Sequence, residues 1–268
     1  MYLLPEGMRY ASLKERKKFY RDEFNLSAVE SWFKEREGKT VFAVIIGRHT
    51  KIYPKKYRDS FSDTILIDEY SDLSEVHSLI VDFLPEGVYY DRNLYKSLEK
   101  CIKCSKNYIK CWGCRNLLGQ ELAFDLDPEN LTCPIHGSLE DKMKRRQGLG
   151  FCEVEYKMVR TETAKLYEEL VGRFSNLKIV YSGRGFHIHV FDKETLRWGF
   201  KRRRGLAKEL IKKGFLIDEW VTSGGMRLIR LPYSLHGMVS RIVVPLDYRE
   251  LGGFDAVKDR RCVPKFLR

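Results

Sequence analysis

The chain has 268 residues, 43% of them apolar, with a formal net charge of +12 and a pI of about 9.3. That supports one large domain, or one domain with a small module, and the positive surplus favours a polyanionic partner, nucleic acid foremost. The N-terminal MYLLPEGMRYASLKERKKF lacks an apolar h-region and no run of 18 apolar residues occurs, so neither a signal peptide nor a membrane span is expected. Seven cysteines, four of them in paired CxxC spacing, point to metal binding in a reducing, cytoplasmic compartment rather than to a disulfide framework.

In chain order, residues 9–38 read as two charged helices with Leu13, Phe19, Phe24, Val29 and Phe33 as inward anchors. Ser27, three places before Glu30, fits a capping box for the second helix, and Gly38 fits its C-terminal glycine. Residues 40–47, TVFAVIIG, make a buried strand. The loop that follows carries Lys51, Lys55, Lys56 and Arg58 and reads as solvated, with a backbone-phosphate contact as the alternative. A strand at 64–67, a helix at 73–83 and a strand at 88–90 come next. Beyond the cysteine-rich segment, strands at 177–181, 186–191, 227–231 and 241–245 alternate with helices at 162–174 and 206–213. The pattern is α/β or α+β, with mixed or antiparallel sheets flanked by helices.

Cys101, Cys104, Cys111 and Cys114 form CxxC–x6–CxxC, a spacing that lets two thiolate pairs close around tetrahedral Zn²⁺. Residues 99–116 are therefore an expected zinc knuckle. A second candidate zinc set, Cys133, His136 and Cys152 within residues 131–156, needs a fourth ligand, either Glu155 or an unpaired cysteine. Cys262 reads as an ordinary thiol.

Three further stretches carry chemistry. ELAFDLD, residues 121–127, alternates with period two and puts Asp125 and Asp127 on one strand face, where a divalent cation would relieve their repulsion. YSGRGFHIHV, residues 181–190, follows a strand with a glycine-rich turn. Its backbone, with Ser182 and Arg184, suits a phosphate, and His187 and His189 then share a face. A hairpin with a solvent-facing Arg would look the same. In FLIDEWVTSGGMRLIRLPYSLHG, Asp218 is either a capping carboxylate or the third member of a metal cluster with Asp125 and Asp127. Arg227, Arg230 and His236 would then face a triphosphate. The basic runs 143–146 and 201–204 suit a template backbone or plain solvent.

Taken in this order, ERKKFY near residue 15, ELAFDLD, YSGRGFHIHV, RLIRLPYSLHG and VPKF at 263–266 resemble the archaeal DNA primase small, catalytic subunit of the archaeo-eukaryotic primase superfamily. The resemblance implies a single catalytic domain over residues 1–268, a primase core with one half related to RNA-recognition sheets, plus a small zinc-binding module. Residue by residue it implies Asp125, Asp127 and Asp218 as catalytic ligands of two Mg²⁺ or Mn²⁺ ions. It implies Ser182, Arg184, His187, Arg230 and His236 as the nucleotide-binding set. In several relatives a Lys stands two places after the late histidine. Here it is Met238, for which Arg241 is a candidate replacement.

The implied activity is template-directed synthesis of RNA primers, with DNA as a further product, by two-metal nucleotidyl transfer. The implied partners are a single-stranded DNA template, nucleoside triphosphates and a primase large subunit, with no membrane. Two alternatives stay open: an end-joining or gap-filling polymerase of the same superfamily, and a catalytically silent zinc-containing nucleic-acid-binding subunit.

Overall fold

The computed structural model describes residues 3–34, 36–58, 62–102 and 114–268. The chain opens with helix α1 (Leu13–Asp22), whose Ser12 and Glu15 form a reciprocal capping box. Its neighbour α2 (Leu26–Phe33) is capped by Asn25, which accepts from the Ala28 amide, and not by Ser27, whose hydroxyl donates to Asn25 Oδ1 instead. Two cap-type residues compete here and the outer one wins, because Leu26 is already helical. Gly38 is not the C-cap either: the helix ends at Phe33 with Lys34 following. Gly38, at φ +104°, lets the chain pass close to Tyr95, against whose carbonyl a Cβ would stand at 2.8 Å.

One four-stranded sheet runs in the order β2 (Thr64–Ile67), β1 (Phe42–Ile45), β3 (Gly87–Asp91), β9 (Leu228–Arg230), every pair antiparallel. Its β1 is buried at all four positions, as a continuous apolar run requires. Helix α3 (Leu73–Phe83), capped by Asp72, packs on β1, and α1 and α2 pack on α3. A short antiparallel pair, β4 (Asn93–Tyr95) with β5 (Leu117–Gln120), follows, with the helical turn α4 (Glu99–Ile102) between its strands.

The second four-stranded sheet has the order β12 (Val244–Leu246), β7 (Leu177–Tyr181), β8 (Phe186–Val190), β6 (Leu122–Leu126), again antiparallel throughout. Helix α5 (Leu139–Lys144) precedes the long α6 (Glu153–Val171), which covers β6 and β8. The sequence placed α6 only from residue 162. Its true start is capped by Cys152 and Glu155, an unusual box that spacing alone does not flag. Helix α7 (Phe200–Lys212) packs on the short α8 (Glu219–Ser223), which lies against β6. The pair β10 (Leu235–His236) and β11 (Arg241–Ile242) and the turn α9 (Tyr248–Leu251) complete the fold. No helix among the described residues is long and apolar enough to cross a membrane.

Buried charge ties these layers together. Arg16, fully buried on α1, donates to the Ala11 carbonyl and to Thr50 Oγ1 at 2.9 Å. Glu86, at the entry to β3, accepts from the amides of His49 and Thr50. The loop after β1 is thereby fixed. At the centre, Glu121 accepts from Arg36 and from His189, with the Tyr90 hydroxyl alongside. Burial works against the Glu121 charge, but Arg36 and His189 overcome it and hold the carboxyl down at about 2.

Candidate active site

Asp125 lies on β6 and pairs across the strand with His187 on β8, whose Nε2 stands 3.5 Å from Asp125 Oδ1. Asp127, just past the strand end, accepts from the Glu129 amide at 3.1 Å and caps a 3₁₀ turn that begins with Pro128. Asp218 caps α8, accepting from the Trp220 amide at 2.7 Å. Its own amide donates to the Asp125 carbonyl at 3.1 Å. The third carboxylate is thus tied by backbone to the strand that carries the first two.

The glycine-rich turn between β7 and β8 fits against the same strand. The Ser182 amide donates to the Gly185 carbonyl at 2.9 Å and the Gly185 amide to Ser182 Oγ at 3.2 Å. A Cβ on Gly185 would stand 2.1 Å from the Leu126 carbonyl oxygen, and one on Gly183, at φ +105°, would stand 2.5 Å from the His236 ring. Only glycine allows the turn to press on β6 from one side and on His236 from the other.

All eight residues meet in one cavity of about 400 Å³: Asp125, Asp127, Ser182, Arg184, His187, Asp218, Arg230 and His236 line it together. Its charges are unbalanced in an informative way. Burial, then the negative charges of Asp127, Asp218 and Glu129, push the Asp125 carboxyl well above the usual carboxylate range. A cation among these groups would remove that cost, so the donor set suits Mg²⁺ or Mn²⁺ with oxygen ligands. In the same cavity, burial and neighbouring cations push His187 and His236 well below the usual imidazole range, so both are neutral. The Nδ1 atoms of both rings, Nη1 of Arg230 and Nε of Arg184 are buried with no hydrogen-bond partner among the described residues. Unmet polar atoms clustered in one cavity mark a place for a polar ligand. Arg230 also donates to the Tyr89 hydroxyl at 2.6 Å and lies over that ring.

A second cluster lies below the Asp127 turn. The donor atoms of Cys133, His136, Cys152 and Glu155 all fall within 4.8 Å of one another. Cys133 Sγ is 3.4 Å from His136 Nδ1 and 3.8 Å from Cys152 Sγ. Two sulfurs, one imidazole and one carboxylate at this spacing suit tetrahedral Zn²⁺. Glu155 is already engaged, accepting from Lys142 Nζ at 2.6 Å and from the Cys152 amide at 2.9 Å, so Lys142 would act as the outer partner that orients it. Of the expected knuckle, Cys104, Cys111 and the Cys101 side chain lie outside the described residues; Cys114 is exposed.

No family model matches the chain. A protein of Archaeoglobus fulgidus described as an uncharacterized DNA primase small subunit-like protein is 53% identical, over 99% of this chain and 94% of that one. The chain belongs to the DNA primase small-subunit family. The DNA primase small subunit PriS of Thermoplasma acidophilum is 26% identical, over 94% of this chain and 84% of its own. Among solved structures, the polymerase domain of Mycobacterium tuberculosis Ligase D in complex with DNA matches with a TM-score of 0.51 at 13% identity. That match covers 98% of this chain and 90% of the other, a likeness of fold.

For a member of the primase small-subunit family, the cavity also contains groups that sequence reasoning passed over. Glu129 accepts from Arg184 Nη1 at 2.8 Å, while Asp127 accepts from Arg184 Nη2 at 3.0 Å. The arginine expected on a phosphate is therefore clasped by two carboxylates. Arg48 and His49 line the cavity too, just before the basic loop. Within that loop, Lys56 is taken by Asp82. Two expected contacts are corrected. Arg227 turns away to Asp91, at 3.1 Å, and to the Tyr95 hydroxyl. Arg241 is buried and donates to the carbonyls of Gly7 and Ala256, so it does not replace the lysine absent at Met238. Met238 itself lines the cavity.

Proposed function

We propose that this chain is the catalytic subunit of a primase, making short RNA strands, and DNA as a further product, on a single-stranded DNA template. The single observation that carries this is the convergence of Asp125, Asp127 and Asp218 with the Ser182–Gly185 turn, Arg230 and His236 in one cavity. The three aspartates would hold two Mg²⁺ or Mn²⁺ ions, which when bound supply charge neutralisation for in-line attack by a 3′-hydroxyl and for the leaving pyrophosphate.

The chain's own residues bind and orient the triphosphate. Arg184 exchanges Glu129 and Asp127 for phosphate oxygens, a trade that becomes favourable once those carboxylates have cations to face. Neutral His187 and His236 donate N–H groups to phosphate oxygens without adding a charge that would repel the ions. Ser182 Oγ and the turn amides supply further donors, and Arg230, fixed by Tyr89, meets the outer phosphates. No side-chain nucleophile is needed. A primase large subunit is the proposed partner, for initiation from two nucleotides.

The same core supports the wider mechanism class through its antiparallel sheets and buried carboxylate strand, and the Cys133–His136–Cys152–Glu155 cluster is proposed as its zinc-binding module. The test is labelled-nucleotide incorporation on single-stranded template with Mg²⁺ or Mn²⁺, with and without a large subunit, and in parallel on gapped duplex. Products on single-stranded template support priming. Products on gapped duplex alone would support gap filling instead, and none on either would leave the silent-subunit alternative.

A further inference from the structure

Directly beside Asp218, α8 presents a surface that the nucleotide site does not use. Trp220 is 66% exposed and Met226, on the cavity rim, is 51% exposed. The two are joined by the Met226 amide, which donates to the Trp220 carbonyl at 3.0 Å. The indole lies on Gly225, where a Cβ would stand 2.1 Å from Trp220 Cε3, so one ring face is seated on backbone while most of the residue's surface stays open. A large aromatic left this exposed next to a cavity is uncommon unless something covers it.

The charge beside it says what. Glu219 ties α8 to Arg204 of α7 at 3.0 Å. The exposed face of α7 carries Lys201, Arg202, Arg204, Lys208 and Lys212, while its one acidic residue, Glu209, is held by Arg173. Arg202 stacks over the ring of Trp198, just before α7, at 3.7 Å, so this surface also carries a cation–aromatic pair. A flat aromatic flanked by a cationic helix complements a chain of stacked bases joined by phosphates, whereas a cationic or purely apolar partner would leave the charges of α7 unmet.

We propose that Trp220 is a stacking platform for a base of the single-stranded DNA template as it passes the cavity, with Met226 continuing the apolar ledge and α7 tracking the phosphates. This rests on the nucleotidyl-transfer reading of the neighbouring carboxylates and adds the route of the template to it. Base–aromatic stacking tolerates any sequence, as a template site must.

The test uses the full chain and a short oligo-dT strand, following intrinsic tryptophan emission and the anisotropy of a fluorescein-labelled copy. Wild type should bind with quenching that Trp220→Ala abolishes, and Trp220→Ala should bind about tenfold more weakly. Trp220→Phe should keep most of the affinity while losing the quenching. Because the side chain is exposed, neither variant should change the melting temperature. The platform is overturned if wild type binds the strand but Trp220→Ala binds within twofold of it. Quenching by a nucleoside triphosphate but not by oligo-dT, or by a purified large subunit alone, overturns it too. If wild type binds no single strand at low salt, the platform and the primase reading both fall, and the anisotropy signal separates that outcome from the others.

Discussion

The amide of Asp218 donates to the carbonyl of Asp125 at 3.1 Å, joining two residues on separate elements and placing the Asp218 side chain at the rim of the strand that carries Asp125 and Asp127. One backbone bond closes the carboxylate cluster. Because Asp218 also caps α8, its carboxylate has a fixed direction before any cation arrives.

The cluster is costly without cations. The Asp125 carboxyl is raised well above its ordinary value, so between that value and the folded one the native state binds more protons than the unfolded chain. Stability of the metal-free protein should therefore fall as pH rises through the folded pKa. Asp125→Asn should raise the metal-free melting temperature by a few degrees at pH 8 and abolish the Mn²⁺-induced increase seen in wild type. Scanning calorimetry from pH 7 to 9, above the range in which the buried histidines titrate, with and without Mn²⁺, checks both. A metal-free wild type that gains stability with pH over this range would contradict it.

The Glu121 network has the opposite sign. Despite burial, Arg36 and His189 hold Glu121 down at about 2, so its contribution is present above the ordinary carboxylate value and is lost as pH falls toward 2. Replacing Glu121 with Ala leaves Arg36 buried and unpaired, at a cost of about 3–5 kcal/mol. Urea midpoints at pH 7 and pH 3 should differ less in Glu121→Gln than in wild type. Equal acid sensitivity in both would remove the network from the account.

Gly183→Ala places a Cβ 2.5 Å from the His236 ring at a backbone angle that disfavours it. The outcome expected is a rise of about tenfold or more in KM for nucleotide, with a stability loss of about 1–2 kcal/mol. Steady-state kinetics and thermal melting report the two separately. An unchanged KM would show that the Gly183–His236 contact does not shape the phosphate site.

Much of this was legible beforehand. The period-two ELAFDLD stretch became β6, and the SGRG turn sits between β7 and β8 as its glycines suggested. What sequence spacing could not show was which distant groups meet. Glu129 belongs to none of the motifs read from the sequence, yet it clasps Arg184. His49 opens the basic loop but was not singled out beside its lysines, and it lines the cavity. Glu121, Arg36 and His189 form a buried ion network that no local pattern announces, because the three lie far apart in the chain. Arg227 and Arg241 looked available for phosphate, yet buried carboxylate and carbonyl partners claim them.

For the Cys133, His136, Cys152 and Glu155 cluster, elemental analysis of purified protein should find at least one zinc per chain, and Cys133→Ser should reduce the count by one. Chelation should lower the melting temperature of wild type more than that of the variant. Zinc content unaffected by Cys133→Ser would place the metal elsewhere.

The most direct measurement is single-turnover nucleotide incorporation on a template by wild type and by Asp218→Asn, which keeps the α8 cap while removing the charge. A fall of about a thousandfold or more, with template binding unchanged, is the outcome expected of a shared carboxylate cluster for catalytic cations. Activity within tenfold of wild type would contradict it and leave Asp218 as a helix cap alone.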